Sequence, residues 1–278
     1  MAFAHRLCAH TRTGFTLLEM SIVLTIIGLL AASVLVGQNL IRAAQLRSVI
    51  SEYDGYLKAI KEFQDKYLAL PGDYSGATTI WATDTTPSGC PNTLYNTVLK
   101  AATCNGDGNG HVGDSDANAT LTNSYEWFRA WQHLYDAGLI PTMLTGAPGN
   151  TTATEAIPGV NVPASQLPGA GWTLNYYLFP SNGSADTGGL WRDRYGHLLN
   201  LGAFTSGNYT KNPIMSASEA YDIDQKVDDG VPGTGRVRAW RTSVLANCTN
   251  EIAQSSSTYN ISSTNAGNTC SLVFLLGF

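Results

Sequence analysis

The sequence predicts an α+β protein: a long N-terminal helix, apolar all round in its first half, packed on an antiparallel β-sheet head with loop insertions. Three observations lead there. From Phe15 to Leu68 the chain reads as one helix, roughly 80 Å long at about 1.5 Å per residue. Segments with strand character come only from Gly171 onward. Between these parts, and among the strands, lie stretches rich in Gly, Asn, Ser and Thr, with 28 glycines in 278 residues, as a loop-rich head requires.

The helix has two halves. From Met20 to Ile41 there is no charged side chain, and that run spans roughly 33 Å, enough to cross the hydrocarbon core of a bilayer. One acid, Glu19, stands at its start, where an unpaired charge is costly in lipid and marks function by default. Beyond Arg42 the pattern turns amphipathic. Leu46, Val49, Ile50, Tyr53, Leu57, Ile60, Phe63 and Tyr67 recur at three- and four-residue steps, with Lys58, Lys61, Glu62 and Asp65 on other faces. That stripe is expected to bury itself against the sheet. Pro71-Gly72 ends the helix.

Ahead of the helix, residues 1–14 carry Arg6 and Arg12 and no acid, the balance of a segment held on the cytoplasmic side. An ordinary secretory signal cut near Ala31-Ala32-Ser33 is the plainer alternative. The apolar run outlasts a usual signal core, however, and Glu19 interrupts its beginning. Gly14-Phe15-Thr16-Leu17-Leu18-Glu19 followed by an apolar run resembles the processing and methylation motif of type IV pilins and type II secretion pseudopilins. The resemblance covers about thirty residues. It implies cleavage after Gly14 by a prepilin peptidase, N-methylation of the new terminus at Phe15, and pairing of Glu19 with the terminal amine of a neighbouring subunit. Two charges that are each expensive in a lipid or filament core are tolerable as a pair. Where many members have a mid-helix proline, this chain has only Gly28 and Gly37.

The expected organisation is therefore a leader, 1–14, that is removed; a transmembrane and polymerisation helix, 15–38; its amphipathic continuation, 39–70; and an extracytoplasmic head, 71–278. Five cysteines occur, with Cys8 in the leader. The other four permit three disulfide connectivities in an exported protein. Cys90–Cys104 and Cys248–Cys270 are preferred, because each closes a short loop.

Within the Gly-rich stretch 72–125, Asn105, Asp107 and Asn109 stand at positions one, three and five of a loop. Gly110 follows at six, His111 at seven and Asp116 at twelve. This spacing is that of an EF-hand-type loop for Ca2+, a structural ion here, with Asn in place of the first Asp and a shorter acid at the end. An Asx- and Gly-rich turn without an ion is the competing reading. After it, Tyr125–Ala137 reads as a helix with Asn123 or Ser124 as its cap, Gly138 as its stop and an aromatic face of Trp127, Phe128, Trp131, Leu134 and Tyr135. Glu126 can reach back toward the preceding loop. Strands are expected over 171–179, 190–204, 236–240 and 271–276, with a short helix at 215–227. Asp224, Asp228 and Asp229 read as a helix end and solvated acidic turn rather than a second cation site.

Composition excludes some functions. Without the leader, 14 basic residues face 21 acidic ones, about −7, against what a nucleic-acid surface needs. There is no GxSxG elbow, HExxH helix, Walker loop or CxxC pair, and no catalytic residues are assigned. The expected function is a prepilin-type structural subunit of a type IV pilus or type II secretion pseudopilus. Its partners are other subunits, the prepilin peptidase/methyltransferase and the bacterial inner membrane. It crosses that membrane once, head outside the cytoplasm, before entering a pilus or pseudopilus in the periplasm or at the cell surface. The alternative is a minor or tip subunit whose large head binds a surface or secreted ligand; a membrane-anchored enzyme is the weakest of the three.

Overall fold

In a computed structural model the described residues are 14–85, 90, 99, 101–115, 121–122, 125–177, 191, 195–240, 247–250, 254–262 and 267–278. The chain divides into two compact units, Met1–Ala44 and Gln45–Phe278. Helix α1, Leu17–Tyr67, is the element that sequence periodicity outlines, and the boundary between units falls within it. In the first unit every apolar side chain from Phe15 to Ile41 is exposed, none of it in a core.

The second unit is built on a four-stranded antiparallel sheet. After α2 (Ala77–Trp81), a two-residue strand pair β1 (Asp114–Ser115) and β2 (Leu121–Thr122), and helix α3 (Glu126–Asp136), the sheet strands are β3 (Ala170–Tyr177) and β4 (Gly196–Ala203). Helix α4 (Ala217–Val227), β5 (Val237–Ala239), a 3-10 turn (Gln254–Ser256) and β6 (Leu272–Leu275) follow. The order across the sheet is β3-β4-β6-β5. Register places Trp172 opposite Leu201, Leu174 opposite Leu199 and Leu199 opposite Phe274. Period two then puts these side chains on one face and Thr173, Asn175 and Asn200 on the other.

The apolar face receives α1. Tyr53 lies 4.8 Å from Phe274 between ring centres and donates to the Leu275 carbonyl at 3.2 Å. Tyr56 meets the edges of Trp131 and Trp172. Glu52 fastens the same turn, accepting from Trp172 Nε1 at 2.7 Å, Ser165 Oγ at 2.6 Å and Gln166 N at 2.7 Å. The opposite face is polar yet buried, because segment 205–212 folds over it. Thr210 bonds Thr173 at 2.8 Å, and Asn200 Nδ2 donates to Asn175 Oδ1 at 2.9 Å.

Both preferred disulfides are present, Cys90–Cys104 and Cys248–Cys270. Helix α4 starts on a full capping box, Ser216 with Glu219. The turn after it is organised by its acids. Asp224 accepts from Tyr259 Oη at 2.8 Å, while Asp228 accepts from the backbone N–H groups of Arg236 and Val237. A Cβ at Gly235, where φ is +69°, would collide with the Asp228 carboxylate.

Helix α3 departs from the expected one-sided helix. Trp127, Phe128, Trp131 and Leu134 are buried and Tyr135 is half-buried, but Glu126, Arg129, Gln132 and His133 are buried too. The reason is the described parts of the segment 72–113, residues 72–85 and 101–113, which cover the polar side of the helix and are gripped by it. His133 Nδ1 accepts from Gly72 N at 3.0 Å and its Nε2 lies 3.1 Å from the Cys104 carbonyl. Gln132 donates to the Ala102 carbonyl at 3.1 Å and accepts from Thr103 Oγ1 at 2.9 Å. Arg129 meets Asp84 at 3.0 Å, both side chains fully buried. The expected caps, Asn123 and Ser124, lie outside the described residues. Tyr125 holds the N-cap position without a side-chain cap bond.

Candidate functional site

Two places carry chemistry, and the first is the start of α1. Gly14 and Phe15 are exposed, Phe15 at 80 %. Thr16 and Glu19 form a reciprocal pair. Thr16 N and Thr16 Oγ1 each donate to Glu19 Oε2 at 2.8 Å, and Glu19 N donates to Thr16 Oγ1 at 3.2 Å. This is a capping box, which satisfies orphan donors at a helix N-terminus and favours an acid there. Its Thr-x-x-Glu spacing is legible in the sequence, although there Glu19 reads as a lone charge. The helix that follows is long and apolar enough to cross a membrane, and none of its most apolar stretch is buried in the protein.

The second place is the Gly-rich loop 105–113, where the four described positions of the expected calcium loop do not form one ligand shell. Asn105 Oδ1 accepts from Thr78 N at 2.8 Å, and Asn109 Oδ1 from His111 N at 2.7 Å. The His111 ring stacks on Tyr176 at 3.8 Å. Asp116 lies outside the described residues. Only Asp107 joins other acids, and they come from far along the chain: Asp73, just after the end of α1, and Glu126, in the first turn of α3. Carboxylate oxygens of the three lie within 4.8 Å of one another.

The loop closes round these acids through backbone N–H groups. Asp73 accepts from Asn109 N at 2.9 Å and Gly110 N at 3.0 Å. Glu126 accepts from Asp107 N at 2.9 Å and Gly113 N at 2.8 Å. Gly108, Gly110 and Gly113 all have positive φ, which lets successive N–H groups turn inward. Burial pushes the Glu126 carboxyl up to about 8 against the N–H groups of Gly113 and Asp107, with the charges of Asp107 and Asp73 adding to the rise. Burial likewise pushes Asp73 up to about 6, against the Gly110 N–H and with the Asp107 carboxylate adding to the rise. An all-oxygen donor set of three carboxylates, two of them buried, fits a hard cation such as Ca2+. An open crevice of about 440 Å3 adjoins it, lined by Gln64, Tyr67, Leu70, Asp73, Tyr74 and Gly110 among others. Sequence reasoning missed Asp73, which reads only as the residue after a helix stop.

Residues 10–35 match the family model for the prokaryotic N-terminal methylation motif. The chain therefore carries the hallmark of type IV pilins and pseudopilins, at the head of a long apolar helix and ahead of an α+β head. No curated protein and no solved structure matches the chain.

Proposed function

We propose that this chain is a prepilin-type structural subunit of a type IV pilus or type II secretion pseudopilus, cleaved after Gly14, methylated at Phe15 and assembled through its N-terminal helix. The observation that carries the reading is the methylation motif at residues 10–35, leading into a helix whose most apolar stretch has no core of its own. Such a surface is stable in lipid or against copies of itself, and exposed to water it is neither. In this reading the leader is 1–14, the segment 15–38 crosses the inner membrane once before polymerisation, 39–70 continues it into the head, and 71–278 lies outside the cytoplasm. The role is structural rather than enzymatic. Glu19 exchanges its capping bonds for the methylated amine of a neighbour.

The test is mass spectrometry of the protein from filament or membrane fractions of cells with a prepilin peptidase. The expected N-terminal peptide begins at N-methyl-Phe15, and Glu19→Ala leaves membrane insertion intact while abolishing incorporation. A mature protein that starts elsewhere overturns the reading.

The size of the head, with the crevice beside Asp73, supports the second reading, a minor or tip subunit that binds a surface or secreted ligand. Abundance in sheared filaments separates the two. A structural calcium ion is part of the same proposal, held by Asp73, Asp107 and Glu126 rather than by the linear loop. Calcium is expected to raise the melting temperature over that in chelator, and Glu126→Gln to remove the difference. Identical melting of the parent protein under both conditions rejects the ion.

A further inference from the structure

The part of α1 in the second unit buries Val49, Tyr53, Ile60 and Phe63 and leaves the reverse side bare. That side carries Asp54, Leu57, Lys58, Lys61, Glu62 and Asp65, which fall on an arc of about 140° at 100° per residue. These six alone line a shallow depression of about 410 Å3. Its five charged members are exposed, and among the described residues none of the five has an ion-pair partner within 4.0 Å.

The signs along the face are ordered. A second, parallel copy of the helix shifted by four residues, about 6 Å, sets its Asp54 level with Lys58, its Lys58 level with Glu62 and its Lys61 level with Asp65. Every such meeting is between opposite charges. A shift of three residues sets Lys58 against Lys61 and Glu62 against Asp65, both repulsive, and a shift of seven sets Asp54 against Lys61 and Lys58 against Asp65, attractive but with one meeting fewer than a shift of four. The same step of four separates Phe15 from Glu19 in the sequence. Like charges held together are strongly disfavoured, so a face of this kind selects register more than it adds affinity.

We propose that the stripe Asp54–Asp65 is a register-setting contact for a second copy of this chain, stacked in parallel with an axial stagger of four residues. The inference rests on the reading of the chain as a polymerising subunit. Its test uses the full-length precursor in cells with a prepilin peptidase, with filament incorporation measured beside Glu19→Ala. Lys58→Glu with Lys61→Glu is expected to lower incorporation at least tenfold with membrane levels unchanged, and the neutral pair Lys58→Gln with Lys61→Gln to lower it less. Inverting all five charges (D54K, K58E, K61E, E62K, D65K) is expected to restore incorporation, because self-complementarity survives a change of every sign. The inverted and parental chains are expected to assemble separately when expressed together. Parental levels of incorporation in both Lys58/Lys61 variants, or an inverted chain that stays out of filaments, overturn the proposal. If Glu19→Ala is still excluded in that case, the polymerising reading stands; if Glu19→Ala also assembles normally, that reading fails as well.

Discussion

Replacing Arg129 by Met tests the account of how segment 72–113 is held. The guanidinium is fully buried, 3.0 Å from a fully buried Asp84 carboxylate, and its NH1 donates to Gln132 Oε1 at 2.6 Å. Met fills much of the same volume but takes the guanidinium away from the buried Asp84 carboxylate. Breaking a buried pair from one side costs about 3–5 kcal/mol. Gln132 Oε1 keeps its bond from Thr103 Oγ1, so the loss there is smaller. A domain of roughly 150–250 residues loses about 2–4 °C per kcal/mol. A cost near 4 kcal/mol therefore lowers Tm by roughly 8–16 °C, readable by calorimetry of the processed chain in detergent. The paired variant Asp84→Leu/Arg129→Met removes both charges and is expected to recover most of that loss, since a buried ion pair is often worth little over apolar groups of like volume. A single variant within about 3 °C of the parent, or a double variant less stable than the single one, refutes the reasoning.

Two further predictions concern single residues. Asp136 ends α3 with both carboxylate oxygens buried and, among the described residues, without hydrogen-bond partners, and burial pushes it up to about 7 against the pull of Arg129. The folded protein then holds this proton more tightly than the unfolded chain, so its contribution falls as pH rises from about 4 to about 7. Asp136→Asn is expected to raise Tm relative to the parent at pH 8 and to bring no gain at pH 4; an equal difference at both pH values rejects the assignment. Gly235→Ala meets both the +69° φ and the Asp228 carboxylate. It is expected to cost about 2–4 kcal/mol, from left-handed strain and from loss of the bonds Asp228 makes to Arg236 N and Val237 N. A denaturant midpoint unchanged from the parent's counts against that account.

What the sequence disclosed follows the range of the interactions involved. Helix α1 shows as a long uncharged apolar run that passes into an amphipathic stretch, and the burial stripe of that stretch at Val49, Tyr53, Ile60 and Phe63 lies where period 3.6 puts it. The strands β4, β5 and β6 fall inside the segments expected of them, and β3 begins one residue before its own, since β-branched and aromatic runs bounded by turn formers are local signals. The short α2 and the pair β1–β2 have too few residues to show a period. Long-range polar placement was the least legible. Nothing in the spacing of Asn105, Asp107 and Asn109 reveals that the asparagine oxygens bond to backbone N–H groups while Asp107 turns toward Asp73 and Glu126. The polar side of α3 was hidden for the same reason. Arg129, Gln132 and His133 lie off the aromatic face that the spacing shows, and their burial depends on the distant loop that covers them.

That cover has an evolutionary consequence. His133 holds the backbone of Gly72 and Cys104, Gln132 that of Ala102, and Glu126 that of Asp107 and Gly113. A grip on main-chain groups does not depend on which side chains the gripped segment displays. Apart from the glycines, Asp73, the Asp84 anchor and Cys104, the outward residues of 72–84 and 101–113 are free to drift while the gripped backbone stays in place. A subunit built this way can change the face it shows to its surroundings, substitution by substitution, without reopening its core.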